Sequence, residues 1–272
     1  MLSYGFLVHA LLGALLSGIS LAVLSPFVTL KKIAYMGEAL SHIAFAGIAL
    51  ALLFSLNLSF TTMLFVIIVA GLIGFVSRFY QTEETNVITI FLSVAMALGI
   101  ILISLKKDYS FDLASYLFGN VLLINKTDLY SLVALTVVNL SFISLLFKEL
   151  FYMTYNMAVA EVFGIKVKMV YYCFLFLLAI NIVVAVKIAG IILVTAQLVL
   201  PASIAFQFVK KLPPAIIISI AAAILSSLGG FYISWLYNLP TGAVIVLVEF
   251  VLYLVSLVTN KKRKPKLSSE AK

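Results

Sequence analysis

The sequence predicts an all-α polytopic membrane protein, a helical bundle of about nine transmembrane helices. Of the 272 residues, 64% are hydrophobic and only 10% are charged, whereas a soluble domain carries about 25% charged residues. The apolar runs are too long for barrel strands, and helices satisfy their own backbone hydrogen bonds in lipid. We therefore divide the chain into a transmembrane domain, residues 1–260, and a basic cytoplasmic tail, residues 261–272, which we expect to be disordered.

Nine apolar runs define the predicted spans. Pro26 lies near the end of the first run, Lys187 separates the sixth from the seventh, and Pro213 begins the eighth. The runs cover about 7–30, 36–56, 60–79, 87–105, 128–147, 169–186, 188–208, 213–236 and 243–259.

Three connecting segments carry their own signals. Residues 108–126 mix polar and aromatic side chains, which is typical of a short amphipathic helix lying on a membrane surface. Thr82 is expected to cap the fourth helix, with carboxylates in its first turn. Asn156 can cap a short helix over 157–163, which Gly164 would end.

The basic residues predict the orientation. If Lys31 and Lys32 lie inside and the nine spans alternate, fourteen of the 18 Lys and Arg residues fall on the cytoplasmic side and four outside. Without the tail the count is eight against four. The excess of positive charge on one side favours an outside N-terminus and a cytoplasmic C-terminus. The four outside residues are Lys106, Lys107, Lys126 and Lys187.

Glu38 and His42 stand out because they are ionisable residues in an apolar run. They are four residues apart, so on a helix they share a face. His42 follows Lys32 by ten residues, about 15 Å along a helix, which places it near the middle of a core about 30 Å thick. Ionisable residues at this depth mark substrate paths, relays or counter-ions. A carboxylate and an imidazole are also common ligands of divalent metals.

Two interpretations of this pair stay open at this point. Glu38 and His42 could pair with each other or with a neighbouring helix as packing groups. Alternatively they could bind a metal, although two ligands are too few for one site. A second copy of the chain facing a two-fold axis would supply two carboxylates and two imidazoles.

Other polar residues within the spans favour structural roles. Glu249 has no ligand partner at helical spacing, so we expect a structural ion pair. Single amides inside spans are typical of hydrogen bonds between helices. These amides are Asn139, Asn181 and Gln197.

Several functions are excluded by what the sequence lacks. The single cysteine, Cys173, rules out an intrachain disulfide and a cysteine-based zinc site. No P-loop motif is present, so this chain is not expected to hydrolyse ATP, and no HExxH or GxSxG motif indicates an enzyme. The net charge of +8 reflects topology, because no basic stretch is interleaved with aromatics as a nucleic-acid surface would be.

Ordered motifs over about residues 30–245 resemble those of a known family. The sequence KKIAYMGEALSH at 31–42 resembles the second-helix signature of the permeases of ABC-type zinc, manganese and iron importers, the metal ABC-3 family. The other matching motifs are TEET at 82–85, SYLFGN at 115–120, FGI at 163–165, AGIILV at 189–194 with LPA at 200–202, and LPTG at 239–242.

The resemblance implies a permease subunit that moves zinc or manganese into the cytoplasm. The family's metal-path pair, usually Asp-x-x-x-His, falls on Glu38 and His42. The family's segment that couples to the ATPase falls on Ala158, Glu161, Phe163, Gly164 and Ile165.

The resemblance also implies the partners and the location. The partners are a second copy of the chain, cytoplasmic P-loop ATPase subunits, an extracytoplasmic metal-binding protein and membrane lipid, with no nucleic acid. The location is a prokaryotic inner or plasma membrane. No cofactor is expected to be bound permanently, since the metal is cargo. A secondary ion-coupled transporter that uses Glu38, His42 and Glu249 as a proton relay is the alternative.

Overall fold

The structure is a computed structural model, and it describes residues 5–31, 33–105, 124–155 and 157–261. Within these ranges the chain forms helices joined by short connections, with no strand. The helices are α1 (Gly5–Leu30), α2 (Ala34–Leu53), α3 (Leu58–Phe79), α4 (Glu84–Ser104), α5 (Lys126–Leu145), α6 (Phe147–Tyr155), α7 (Met157–Val162), α8 (Val167–Gln197), α9 (Leu200–Phe208), α10 (Leu212–Tyr237) and α11 (Thr241–Lys261).

The first four predicted spans correspond to α1 to α4, with differences at their ends. The second span was expected to reach residue 56, but α2 ends at Leu53, and Ser55 then takes a left-handed conformation with φ of 53°. The expected cap of α4 was wrong by one residue. Glu83 occupies the capping position, and the amide of Thr82 donates to the carbonyl of Ser77 instead.

The connection after α5 contains a helix that the sequence did not indicate. The fifth predicted run extended to residue 147, but α5 ends at Leu145, and α6 begins at Phe147 after a break at Leu146. This helix buries Leu150 and Met153 against the bundle. Gly164 ends the short helix α7 as predicted, at φ of 75°. Residues 106–123, which include most of the surface helix predicted over 108–126, and Asn156 lie outside the described residues.

Helices α8 and α9 together form a hairpin that crosses the bundle twice. Residues 167–208 make a run of 42 residues, which as a straight helix would measure about 63 Å, twice the hydrocarbon thickness. Gly190 breaks α8 with φ 81° and ψ 163°, a conformation open essentially to glycine alone. The predicted turn between the sixth and seventh spans is therefore present, but it lies at Gly190 and not at Lys187.

Contacts with α1 fix the path of this hairpin. They run along α1 from its C-terminal end towards its middle, and then return. In chain order they join Tyr171 to Lys31, Phe174 to Phe27, Asn181 to Ser20, Gln197 to Gly18, and Ala202 to Ser25. We call the end of the bundle that holds Lys31, Arg78 and Lys166 the basic end.

The return limb of the hairpin is itself interrupted. α8 ends at Gln197 and α9 begins at Leu200, so the seventh predicted span is a discontinuous helix. Pro201 has no amide hydrogen to donate to the carbonyl four residues earlier. The amide of Ala202 donates to Ser25 Oγ at 3.2 Å, so a hydroxyl on α1 satisfies one of the free donors of α9.

The remaining helices pack around α1 and α8. Helix α2 contacts α3, α4 and α8, while α10 and α11 pair with each other on the other side of the hairpin. The outer faces of α4, α10 and α11 expose large aliphatic side chains, among them Ile90, Ile217 and Val258. Among the described residues, eight helical segments are long and apolar enough to span a membrane when the hairpin, residues 167–208, is counted as one segment.

A buried polar cluster joins α1, α5 and α8, as predicted for two of the intramembrane amides. Asn139 Nδ2 donates to Asn181 Oδ1 at 2.7 Å and to Ser20 Oγ at 2.7 Å. Asn181 Nδ2 returns a bond to Asn139 Oδ1 at 2.9 Å. All three side chains are almost fully buried, so the cluster fixes the packing of the three helices with its hydrogen bonds satisfied.

Candidate metal site and docking segment

Glu38 and His42 lie on a side of the first half of α2 that the described part of the chain leaves open. Glu38 is exposed and His42 is partly exposed, whereas the intervening residues 39–41 are buried. Their spacing of four residues places both side chains on the same face, one turn apart. The structure therefore brings the two predicted ligands together.

An exposed carboxylate at this position is unfavourable in lipid. Glu38 lies in a helix of membrane-spanning length and composition, and a carboxylate facing lipid is costly. A face that is polar in one copy and buried in an assembly resolves this cost. Within the described part of the chain, no group of three or more His, Cys, Asp or Glu residues could hold a metal. Among the described residues, this face of one copy offers two such ligands, Glu38 and His42.

The break in the hairpin lies directly against this part of α2. A Cβ atom placed on Gly37 would come within 2.6 Å of Leu198 Cδ1, so α2 and the break pack closely. Leu198 is fully buried at this contact. Glu38 is therefore next to a discontinuous helix, the kind of element that builds substrate sites at mid-membrane in many transporters. Pro201, inside an apolar run, was the available signal for this break.

Glu249 and Gln197 behave differently from their predictions. Both side chains are buried. The amide group of Gln197 has no hydrogen-bond partner within the described residues, whereas the carboxyl of Glu249 lies near the hydroxyl of Ser226 without a well-formed hydrogen bond. The expected ion pair of Glu249 is not found among the described residues. Glu249 lies on α11, which packs on α8, α9 and α10, whereas α2 packs on α3, α4 and α8. It therefore does not lie on the open face of α2 that carries Glu38 and His42, which we call the Glu38 face.

The segment predicted to couple to an ATPase forms a compact projection. Ala160 of α7 is fully buried, while Val162 and Phe163 are 87% and 64% exposed. The amide of Ile165 donates to the carbonyl of Ala160 at 3.1 Å, which closes the turn around Gly164. Glu161 is exposed, and the side chain of Ala158 lies outside the described set. Exposed apolar groups beside a carboxylate form a surface suited to a protein partner.

A family model assigns the chain. The model of the ABC 3 transport family matches residues 3–260. The chain belongs to the ABC 3 transport family. This membership confirms the family resemblance at 31–42 and along the rest of the chain. It also shows that the chain is a transport component and a multi-pass protein of the cell membrane.

Relatives and a solved structure agree with the family. The chain is 33% identical over 263 residues to the manganese transport system membrane protein MntC of Listeria monocytogenes, covering 97% of this chain and 94% of the relative. It is 31% identical over 261 residues to the manganese import system permease protein ScaB of Streptococcus gordonii, covering 96% and 94%. The structure of PsaBC from Streptococcus pneumoniae in complex with Fab matches with a TM-score of 0.82 and 30% identity, covering 93% of this chain and 91% of that one.

Proposed function

We propose that the chain is the transmembrane permease subunit of an ATP-driven importer that moves a divalent transition metal, zinc or manganese, into the cytoplasm. The observation that carries the proposal is the open face of α2, where Glu38 and His42 lie side by side. Carboxylate and imidazole suit either metal. Relatives named for manganese transport favour manganese as the cargo.

Two copies of the chain complete the site in this proposal. Around a two-fold axis, each copy contributes the carboxylate of Glu38 and the imidazole of His42, giving four ligating side chains. The imidazole ligates in its neutral form. Covering the open face with a second copy also removes Glu38 from lipid. In this proposal, the same contact between two copies covers Glu38 and completes the metal site.

The other partners act at the two ends of the bundle. We place the basic end in the cytoplasm, because basic residues gather on that side of membrane proteins. The projecting segment with Glu161, Phe163, Gly164 and Ile165 lies at this end and would dock into the ATPase subunit. The permease itself lacks a P-loop, so ATP hydrolysis belongs to that partner. A metal-binding protein would deliver the cargo at the opposite end.

The rival hypothesis, a secondary transporter with a proton relay, has less support. It requires Glu249 to exchange protons with Glu38 and His42. Helix α8 packs against both α2 and α11, and this separates Glu249 from the pair. Membership of an ABC family likewise supports an ATP-driven mechanism.

Metal uptake by reconstituted complexes tests the proposal. His42→Ala removes two ligands per dimer and should lower manganese uptake by roughly 10–100-fold or more. His42→Gln, which packs similarly but ligates poorly, should fail almost as badly. Glu38→Asp keeps the charge on a shorter arm, so it should retain transport and can change the order of preferred metals. A thermal melt of each variant should show a folded protein.

The chain offers a matched control in its other histidine. His9 lies near the start of α1, far along the chain from the pair, so His9→Ala should leave uptake within about twofold of the parent. If the pair only packs, His42→Gln would be tolerated and Glu38→Ala would mainly lower the melting temperature. Normal uptake by His42→Ala would refute the metal path.

A further inference from the structure

A buried tyrosine at the basic end contacts two cationic side chains and a carboxylate, which lie at the ends of three other helices. Tyr171 lies in the second turn of α8, and its side chain is 1% exposed. Arg78 Cζ lies 3.8 Å from the centre of its ring and Lys31 Nζ lies 5.1 Å from it. The hydroxyl of Tyr171 donates a hydrogen bond to Glu84 Oε1. We call these four residues the tyrosine cluster.

The cluster joins four helix ends in one set of charge-dependent contacts. Lys31 follows the end of α1, Arg78 lies in the last turn of α3, and Glu84 begins α4. Two cations close to one ring repel each other, and the ring face and the carboxylate offset this repulsion. A merely space-filling residue at position 171 could not do this. The cluster therefore depends on both parts of the tyrosine, its ring and its hydroxyl.

On one side, the cluster is connected rigidly to α7. The amide of Ile165 donates to the carbonyl of Ala160, and the amide of Val167 donates to the carbonyl of Ile165 at 2.8 Å. The amide of Val170 donates to the carbonyl of Lys166 at 3.1 Å, which continues the path into α8. A displacement of α7 will therefore move the first turns of α8, including Tyr171.

On the other side, the cluster is connected to the helix that carries the metal pair. The amide of Ile33 donates to the carbonyl of Val28 at 3.1 Å, and the amide of Met36 donates to the carbonyl of Ile33 at 2.9 Å. These bonds make a tight corner between α1 and α2. Lys31 lies in this corner, seven residues before Glu38. A pull on Lys31 will therefore reach the first turns of α2.

We propose that Tyr171 is a positioning residue that transmits the movement of the ATPase-docking segment, through Lys31 and Arg78, to the helix bearing Glu38 and His42. The inference rests on the docking role given to α7 under the proposed function. It does not depend on which cargo the importer carries. It assigns a role in transport to four residues that bind neither the metal nor the ATPase.

The test measures movement directly, in the complex with the ATPase subunit. In a Cys173→Ser background, one cysteine is placed on the Glu38 face by Tyr35→Cys, and in a second protein one is placed on the docking segment by Val162→Cys. Maleimide labelling rates are compared with and without ATP and vanadate. In the parent, both sites should respond to nucleotide. In Tyr171→Leu, the response at position 162 should remain, and the response at position 35 should fall at least fivefold.

Milder variants and a neighbouring control separate transmission from folding. Tyr171→Phe keeps the ring and Glu84→Gln keeps the shape, so each should reduce the response at position 35 to a lesser degree while preserving the fold. Phe176→Leu is the control, because that ring lies on the same helix but packs on Tyr172 and against Gly71. It should leave both responses unchanged. If Tyr171→Leu does not fold, the two milder variants decide the question.

Three outcomes would overturn the proposal. The first is a response at position 35 that survives in Tyr171→Leu or in both milder variants. The second is the absence of a response at position 35 in the parent. The third is the loss of the response at position 162 together with the response at position 35. The last would place Tyr171 in ATPase docking. Manganese uptake is measured in the same preparations. A parent that moves at both sites but carries no metal would refute the proposed cargo and leave the role of Tyr171 standing.

Discussion

Lys31 experiences several interactions at once, because it follows a transmembrane helix and faces a buried ring. Its pKa is lowered from 10.5 to about 8, mainly because burial desolvates the ammonium; Glu84 acts in the opposite direction, and Arg78 contributes to the lowering. Below pH 8 the folded and unfolded chains both carry the proton, and the folded state bears the full cost. Between about pH 8 and 10.5 the unfolded state binds more protons, so stability rises with pH in this window.

This linkage makes a prediction about the variant Lys31→Met. The melting temperature of the parent should increase relative to that of the variant as the pH rises from 7 to 10. After a discount for the partial exposure of Lys31, the change is about 1–2 kcal/mol, and each kcal/mol corresponds to roughly 2–4 °C. Melts in detergent at three pH values measure it. Parallel pH profiles for the two proteins would show that Lys31 is well solvated.

Helices α10 and α11 approach each other closely at Gly230. A Cβ atom on Gly230 would lie 2.5 Å from Ile245 Cα, whereas one on the adjacent Gly229 would meet only Val248 Cγ1 at an ordinary 3.5 Å. The close contact at Gly230 is with backbone, which a rotamer change cannot relieve. Small residues at such positions let helix backbones approach in a membrane.

The two glycines provide a matched pair of substitutions. Gly230→Ala should force the helices apart and destabilise the protein by about 1–3 kcal/mol. Gly229→Ala should be neutral or stabilising, because alanine is favoured over glycine in a helix by about 1 kcal/mol. Thermal melts of both variants beside the parent give the comparison. Equal melting temperatures for the two variants would contradict the close packing at Gly230.

At the same scale, the helices themselves could be predicted but their interruptions could only be predicted in part. Long apolar runs indicate spans strongly. The end of α7 at Gly164 could be predicted because glycine readily adopts the left-handed conformation that ends a helix. The break before Pro201 was missed because aliphatic residues surround it, and its cost is offset by Ser25 on α1, a contact from a distant part of the sequence. The turn was placed at Lys187 because charge suggests a loop. The backbone instead turns at Gly190, where φ of 81° is accessible to glycine.

The functional residues divide in the same way. Glu38 and His42 were visible because charge is rare inside a span and their spacing fixes a common face. The tyrosine cluster was not visible, because Tyr171, Arg78 and Lys31 are ordinary residues for helix ends near a membrane surface. Only the packing of α1, α3, α4 and α8 brings them together. Contacts between distant segments carry no local signal in a single sequence.

For the whole molecule, the hairpin of α8 and α9 determines the number of membrane crossings. Counted as one segment, residues 167–208 give eight candidate spans among the described residues. The contacts with α1 lead the chain back towards the basic end, so we count nine crossings among the described residues. An odd number of crossings would put the two termini on opposite sides of the membrane, and from the distribution of Lys and Arg we propose that the C-terminus lies inside.

Site-directed labelling in intact cells tests this parity. In a Cys173→Ser background, single cysteines introduced by Ser3→Cys and Lys187→Cys should react with an impermeant maleimide added outside. A cysteine introduced by Ser268→Cys should react only after the membrane is opened. Lys187 is the informative site, because it is exposed at the top of the hairpin and paired with Asp128, so it should share the side of Ser3. Labelling of Ser3→Cys and Ser268→Cys from the same side would mean an even number of crossings, and the reversal at Gly190 would then not be a crossing of the membrane.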